Sequence, residues 1–221
     1  MRRRWVRRLL VGVAALLVLI VLAAWAFIKF QPTQAPLALP GTAVQAPAGP
    51  LDGTWAVSSG VAGFRVAETA LGMSNDTVGR TRAVSGTLAI SGGRVASAAF
   101  RVDLTAVKVN GKTPPQFVTS LRTARFPVAM VTLAGPAAFG PSLGAGGTVR
   151  GTAAGRLSLN GVTRPVTLTV SGRRDGTALE IAGSIPVAFS RWDIKGPGGL
   201  GFLGSLADHG VAEFLLTLSQ R

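Results

Sequence analysis

The sequence predicts an all-β domain of antiparallel hairpins with one short helix, preceded by a single N-terminal transmembrane helix. Three observations predict this arrangement. Apolar and polar residues alternate through most of the chain after residue 50, as they do on strands with one buried face. Gly-Gly, Asn-Gly and Asp-Gly separate the alternating runs, and these pairs mark tight hairpins, not crossover helices. Leu9 to Ile28 is a run of 20 residues without a charge.

That run comes first along the chain. At about 1.5 Å per residue it reaches roughly 30 Å, the thickness of a bilayer core. Arg2, Arg3, Arg4, Arg7 and Arg8 precede it, so residues 1–8 are expected to stay cytoplasmic and the rest to be exported. Trp5 and Trp25 fall near the two expected interfaces. The competing reading is a cleaved signal peptide. Ala24-Trp25-Ala26 loosely resembles a small-x-small cleavage site, but its Trp and the length of the apolar run favour an uncleaved anchor over residues 9–30. The expected location is the cell membrane, single-pass, with the C-terminal domain extracytoplasmic.

Residues 31–50 hold Pro32, Pro36, Pro40, Pro47 and Pro50 among small and polar residues, which predicts an extended, semi-rigid spacer. The β domain then occupies residues 51–221, with no second boundary visible. Phe64 to Glu68 alternates, and Thr87 to Ile90 leads through Gly92-Gly93 into a strand that places Ala98, Phe100, Val102 and Leu104 on one face. Thr113 to Arg122 breaks the strand pattern. Thr113 in the N-cap position, two prolines, and Phe117 four residues before Leu121 predict a short helix with one apolar face.

Val128 to Leu133 is a further strand. In Arg156 to Val170, Leu157 and Leu159 share a face, as do Val166, Leu168 and Val170, and Asn160-Gly161 supplies the positive φ angles of a hairpin turn. Asp175-Gly176 joins this hairpin to Leu179, Ile181, Ile185, Val187 and Phe189, and Val211 to Leu218 closes the domain. Seven to nine strands make either an open sandwich or a barrel. Closure removes exposed strand edges and favours the barrel.

Charge and residue types narrow the chemistry. The chain of 221 residues has a formal charge of +14, of which the five N-terminal arginines and Lys29 contribute six, leaving +8 beyond residue 50. The arginines there are scattered among apolar and small residues, and no nucleic-acid motif accompanies them, so nucleic-acid binding is not expected. There is no cysteine, only one histidine, and the acids are dispersed, so neither a disulfide, a metal site nor a cofactor site is expected. His209 is the sole histidine base for a hydrolase, with Asp208 beside it, but Asp208-His209-Gly210 reads more simply as a turn into the last strand. Gly196 to Gly201 lacks the lysine of a phosphate loop and reads as a flexible loop. Glu68 shares a strand face with Phe64 and Val66. It sits either at a cavity mouth or in a structural pair with an arginine, and the pair is favoured. Inward faces of Phe, Leu, Ile and Val then either fill a core or surround a small apolar ligand.

The order of motifs resembles the YceI-like family. Thr54-Trp-Ala-Val-Ser-Ser, Gly63-Phe-Arg-Val-Ala-Glu68, Val78-Gly-Arg-Thr81 and Val84-Ser-Gly-Thr-Leu88 are similar to its first strands. Ala99 to Leu104, Leu121 to Pro127, Gly151 to Val166, Gly183 to Trp192 and Glu213 to Leu218 follow in its order. The resemblance implies an antiparallel, lipocalin-like β-barrel of about eight strands with one short helix, holding a polyisoprenoid or other amphiphilic lipid in its bore. Carried over by position, the lining would be Phe64, Val66, Phe100, Val102 and Leu104, then Phe117 and Leu121 from the helix, then Val131, Leu133, Phe189 and Trp192. Ala129 and Gly183 would leave room.

The chain departs from the family pattern twice. Glu68 stands where the family often has a histidine, and Pro115 to Leu121 replaces an Arg-Asp-x-His-Leu stretch, so Glu68 would suit a different ligand end. The expected function is a membrane-anchored, non-enzymatic binding protein. The alternative is a non-catalytic cell-envelope interaction or stress-response module with a filled core.

Overall fold

The computed structural model describes residues 18–19, 34–41, 45–70, 73–138, 143, 145–196 and 204–221. The expected membrane-spanning run lies outside these residues apart from Val18 and Leu19, which are helical. Among the described residues no helix is long and apolar enough to cross a membrane. The glycine-rich stretch beyond Gly196 lies outside them as well. The chain divides into two compact units, Met1–Gln34 and Ala35–Arg221, and the second holds the β fold.

The strands are β1 Gly53–Ala70, β2 Met73–Thr81, β3 Val84–Ser91, β4 Arg94–Asp103, β5 Lys108–Val109, β6 Val128–Leu133, β7 Ala137–Ala138, β8 Val149–Leu159, β9 Val162–Asp175, β10 Ala178–Ala188, β11 Gly204–Leu206 and β12 His209–Gln220. Helix α1, Pro115–Ser120, lies between β5 and β6. Eight strands form a ring in the order β1-β3-β4-β6-β8-β9-β10-β12, and β12 pairs back onto β1. The sheet therefore closes as an antiparallel barrel, which leaves the ring strands no free edge.

β1 makes closure possible. Its first residues, Gly53 to Ala56, pair with β3, while Ala62 to Ala70 pair with β2 on the same flank. Its other flank pairs with β12 from Trp55 to Arg65, across a bulge between Val57 and Ser59. A bulge bends a strand and increases its twist, as a closing strand requires.

The turns follow from the residues that punctuate the sequence. Gly92 and Gly93 hold φ of 57° and 69°, and Asn160 and Gly161 hold 54° and 79°. Consecutive positive φ angles match the right-handed twist of the flanking strands. A side chain at Gly161 would also strike the Phe126 ring, with its Cβ 2.6 Å from Cε1. Helix α1 is shorter than the sequence suggests. Pro114, not Thr113, is its N-cap, because the Thr113 hydroxyl turns away to donate to the Val107 carbonyl at 3.0 Å. Arg122, at φ 48°, turns the chain out of the helix.

The proline-rich spacer is not free. From Ala35 onward it belongs to the same compact unit as the barrel, against which it lies as a strap. Leu37 N–H donates to Glu213 Oε2 at 2.7 Å, and Arg173 donates to the Pro40 carbonyl at 2.7 Å. Gln45 N–H donates to Asp175 Oδ1 at 2.7 Å, and Ala48 N–H donates to the Gly176 carbonyl at 3.0 Å. Arg174 donates to the carbonyls of Ala48 and Gly49. Proline removes a backbone donor but leaves every carbonyl as an acceptor. Arg173 and Arg174 supply donors, so the composition of a spacer becomes a docked segment.

Candidate ligand-binding cavity

Alternation on the closed sheet points one side chain in two toward the axis. The interior is only partly filled by them. At the end where the strap docks, Trp55 and Leu218 are fully buried, and Leu179 and Leu216 are 1% exposed. These pack with Leu88, Ile90, Val95, Leu143, Val149 and Ile181 into one cluster. The Trp55 indole N–H donates to the Leu51 carbonyl at 2.9 Å, and the Arg174 guanidinium lies 5.3 Å from its ring centroid. That end is sealed.

Above this floor lies a cavity of about 710 Å³. Pockets that hold small molecules run roughly 300–1,000 Å³. Phe64 and Val66 of β1, Phe100 and Val102 of β4, and Val131 and Leu133 of β6 line it, as do Leu104 beyond β4 and Phe189 beyond β10. Phe117 and Leu121 reach it from α1 and the residue that follows it. Phe64 and Phe117 stack with centroids 5.3 Å apart and planes 11° apart, which joins the helix to the barrel wall. Gly79 makes room for this pair, since a Cβ there would fall inside the Phe64 ring. At the opposite end from the floor, exposed Gln116 and Ser205 and half-buried Glu68 and Leu206 form the mouth.

Trp192 does not line the cavity. A 3-10 turn over Phe189–Trp192 breaks the strand alternation and rolls the indole into a separate cluster with Leu157, Val166, Ile185 and Val187. There it is fully buried, and its N–H donates to the Leu157 carbonyl at 3.2 Å. Gly183 likewise makes room for a neighbour, because the Phe214 ring lies across it. Ala129 does face the bore.

Asn160 is more than a turn residue. It is 1% exposed, accepts from Arg122 Nε at 2.8 Å, and donates to the carbonyls of Trp192 and Asp193 at 2.9 and 3.1 Å. The hairpin tip thus ties the end of α1 to the 3-10 turn beside the mouth. Strand alternation carries no sign of this, because the partners lie on two other elements, each more than 30 residues away along the chain.

Two acidic residues border the cavity, and they face opposite sides of the sheet. Glu68 turns inward with Phe64 and Val66, and Glu213, between inward Ala212 and Phe214, turns outward beneath the strap. Glu213 is 4% exposed and fully engaged, by Arg65 at 3.0 Å, Arg80 at 3.0 Å and the Leu37 N–H. Burial works against the Arg65 charge, but its bonds to Asp76 and Glu213 prevail and raise it above the usual arginine value. Arg80 is lowered, chiefly by burial. Glu68 pairs differently from the arginine contact the sequence favoured: it accepts from the Thr77 hydroxyl at 2.6 Å. Thr77 also lines the cavity. It was not identified from sequence, because only the β1–β2 register sets it opposite Val66.

His209 opens β12 with its side chain 69% exposed, 2.8 Å from Asp208. That hydrogen bond holds the Asp208 carboxyl below its ordinary value. Neither residue lines the cavity.

A family model for the YceI-like domain matches residues 55–213. The chain belongs to the YceI-like family. Its barrel is similar to a polyisoprenoid binding domain from Saccharophagus degradans implicated in plant cell wall breakdown, with TM-score 0.57 and 16% identity over 76% of this chain and 98% of that one. It is also similar to BcnA from Burkholderia cenocepacia, with TM-score 0.52 and 19% identity over 70% of this chain and 95% of that one. At such identities the two likenesses establish the barrel fold. No curated protein matches the chain.

Proposed function

We propose that this YceI-like chain is a membrane-anchored, extracytoplasmic binding protein that holds a polyisoprenoid or similar amphiphilic lipid inside its barrel. The observation that carries the reading is the cavity of about 710 Å³, apolar along its walls, sealed at the strap end and polar only at its mouth. An amphiphile matches that division, with its chain among Phe100, Val131 and Leu133 and its polar end beside Glu68 and Gln116. Family membership and the polyisoprenoid binding of the Saccharophagus domain support the ligand class. The uncharged run Leu9 to Ile28 and the five arginines before it support the anchor.

A filled core, the alternative expected from sequence, does not fit an interior space of this volume. A hydrolase is unsupported, because neither His209 nor its exposed neighbour Asp208 is among the described residues that line the cavity.

Native mass spectrometry of the full chain, extracted from its own membranes in mild detergent, tests the reading. A retained lipid mass, and a protein that stays in the membrane pellet after alkaline washing, are the expected results. A bare protein mass that takes up no isoprenoid on titration would contradict it.

A further inference from the structure

The cavity has a charge pattern unlike that of the rest of the molecule. The chain carries 23 lysines and arginines, yet no basic residue is among the described residues that line the cavity. Two acidic residues border it, and only Glu68 turns its carboxylate inward. Glu213 alternates with inward Ala212 and Phe214, and its carboxylate is matched on the outer face by Arg65, Arg80 and the Leu37 N–H of the strap. Glu68 accepts one hydrogen bond, from Thr77, and no ion pair among the described residues involves it. Strand alternation turns it to the same side as Phe64 and Val66, beside the mouth.

We propose that Glu68, supported by Thr77, selects the polar end of the ligand: the cavity takes an amphiphile ending in a neutral or cationic hydrogen-bond donor, such as an alcohol, phenol or amine, and rejects a phosphorylated one. This rests on the lipid-binding reading above and deepens it. An ionised carboxylate only accepts hydrogen bonds. With the Thr77 hydroxyl on Oε2, its remaining lone pairs are satisfied by a ligand O–H or N–H. A phosphate would set like charge against like charge beside half-buried Glu68, in a mouth walled by Phe64, Phe117 and Leu206. Among the described residues no lysine, arginine or histidine lines the cavity to offset that repulsion. The Thr77 bond holds the carboxylate against the wall, so that it borders the bore without blocking it.

The test uses the full chain in detergent and three isoprenoids of one chain length: the alcohol, its monophosphate and the corresponding amine. Binding is read at neutral pH by titration with each radiolabelled isoprenoid. The alcohol and the amine are expected to bind at least about tenfold more tightly than the monophosphate, a margin that narrows as salt is added. Glu68→Gln should raise monophosphate affinity about tenfold and change alcohol affinity by less than about threefold. Thr77→Val, which keeps the charge, should preserve the preference; a variant that fails to fold would show in its circular dichroism, leaving the other to decide. Equal wild-type affinity for alcohol and monophosphate, or a preference unaltered in Glu68→Gln, overturns the end-group assignment alone. Failure of all three to bind overturns the lipid-binding reading and this inference together.

Discussion

The two ends of the barrel are built from the same kind of antiparallel hairpin and finish differently. At the strap end, side chains and backbone are both accounted for. Trp55 and Leu218 are fully buried, Asp52 accepts from the Gly92 and Gly93 N–H groups at 2.7 and 3.2 Å, and Arg174 takes up the strap carbonyls. At the mouth, the polar side chains Gln116 and Ser205 are exposed, and Phe64 and Phe117 are only half-buried. The difference teaches where this fold places its stability. Apolar packing and captured backbone groups close the floor across the whole bore, whereas at the mouth the buried Trp192 cluster and Asn160 brace one side of the wall and leave the opening clear.

Substitutions at matched positions on the two ends sharpen the comparison. Trp55→Ala removes a fully buried ring from the floor and should cost about 3–5 kcal/mol. Phe100→Ala, on the cavity wall, removes a half-buried ring with empty space already beside it, and should cost distinctly less while weakening lipid uptake. Urea denaturation of both variants measures the contrast; equal losses would mean that the bore is packed core. A smaller effect is expected from Arg174→Met, which leaves the carbonyls of Ala48 and Gly49 without that donor, at about 1–3 kcal/mol. Limited proteolysis should then cut the strap near residues 45–50 while the barrel remains intact. A strap that stays protected would show that Arg173 and the backbone bonds suffice to hold it.

These contrasts also separate what the sequence discloses from what it hides. The eight-strand ring was legible because each hairpin announces itself locally. Asn160-Gly161 and Gly92-Gly93 carry the required positive φ angles, and the alternating residues name a face. The cavity walls followed from the same parity, which placed Phe100, Val102 and Leu104 together, and the parity of Ile181 and Ile185 could have placed those two there as well. What the sequence concealed depends on partners far along the chain. The strap is held by Arg173 and Arg174, more than 120 residues away, and composition alone could only describe it as a spacer. Trp192 was misplaced because a 3-10 turn cancels the parity that carries the strand residues before it. Glu68 was correctly assigned to an inward face, but its partner Thr77 is set by a register that no local pattern encodes.

The central claim is that the interior is ligand space and not unfinished core. Ala129→Phe tests it most directly, since Ala129 faces the cavity from β6, beside its cross-strand partner Val102 of β4. If the space is empty for a lipid, the added ring enters it, urea stability is unchanged or rises, and the co-purifying lipid is lost from the native mass spectrum. Overpacking a filled core costs about 1–3 kcal/mol. A loss of that size with lipid content unchanged would contradict the account.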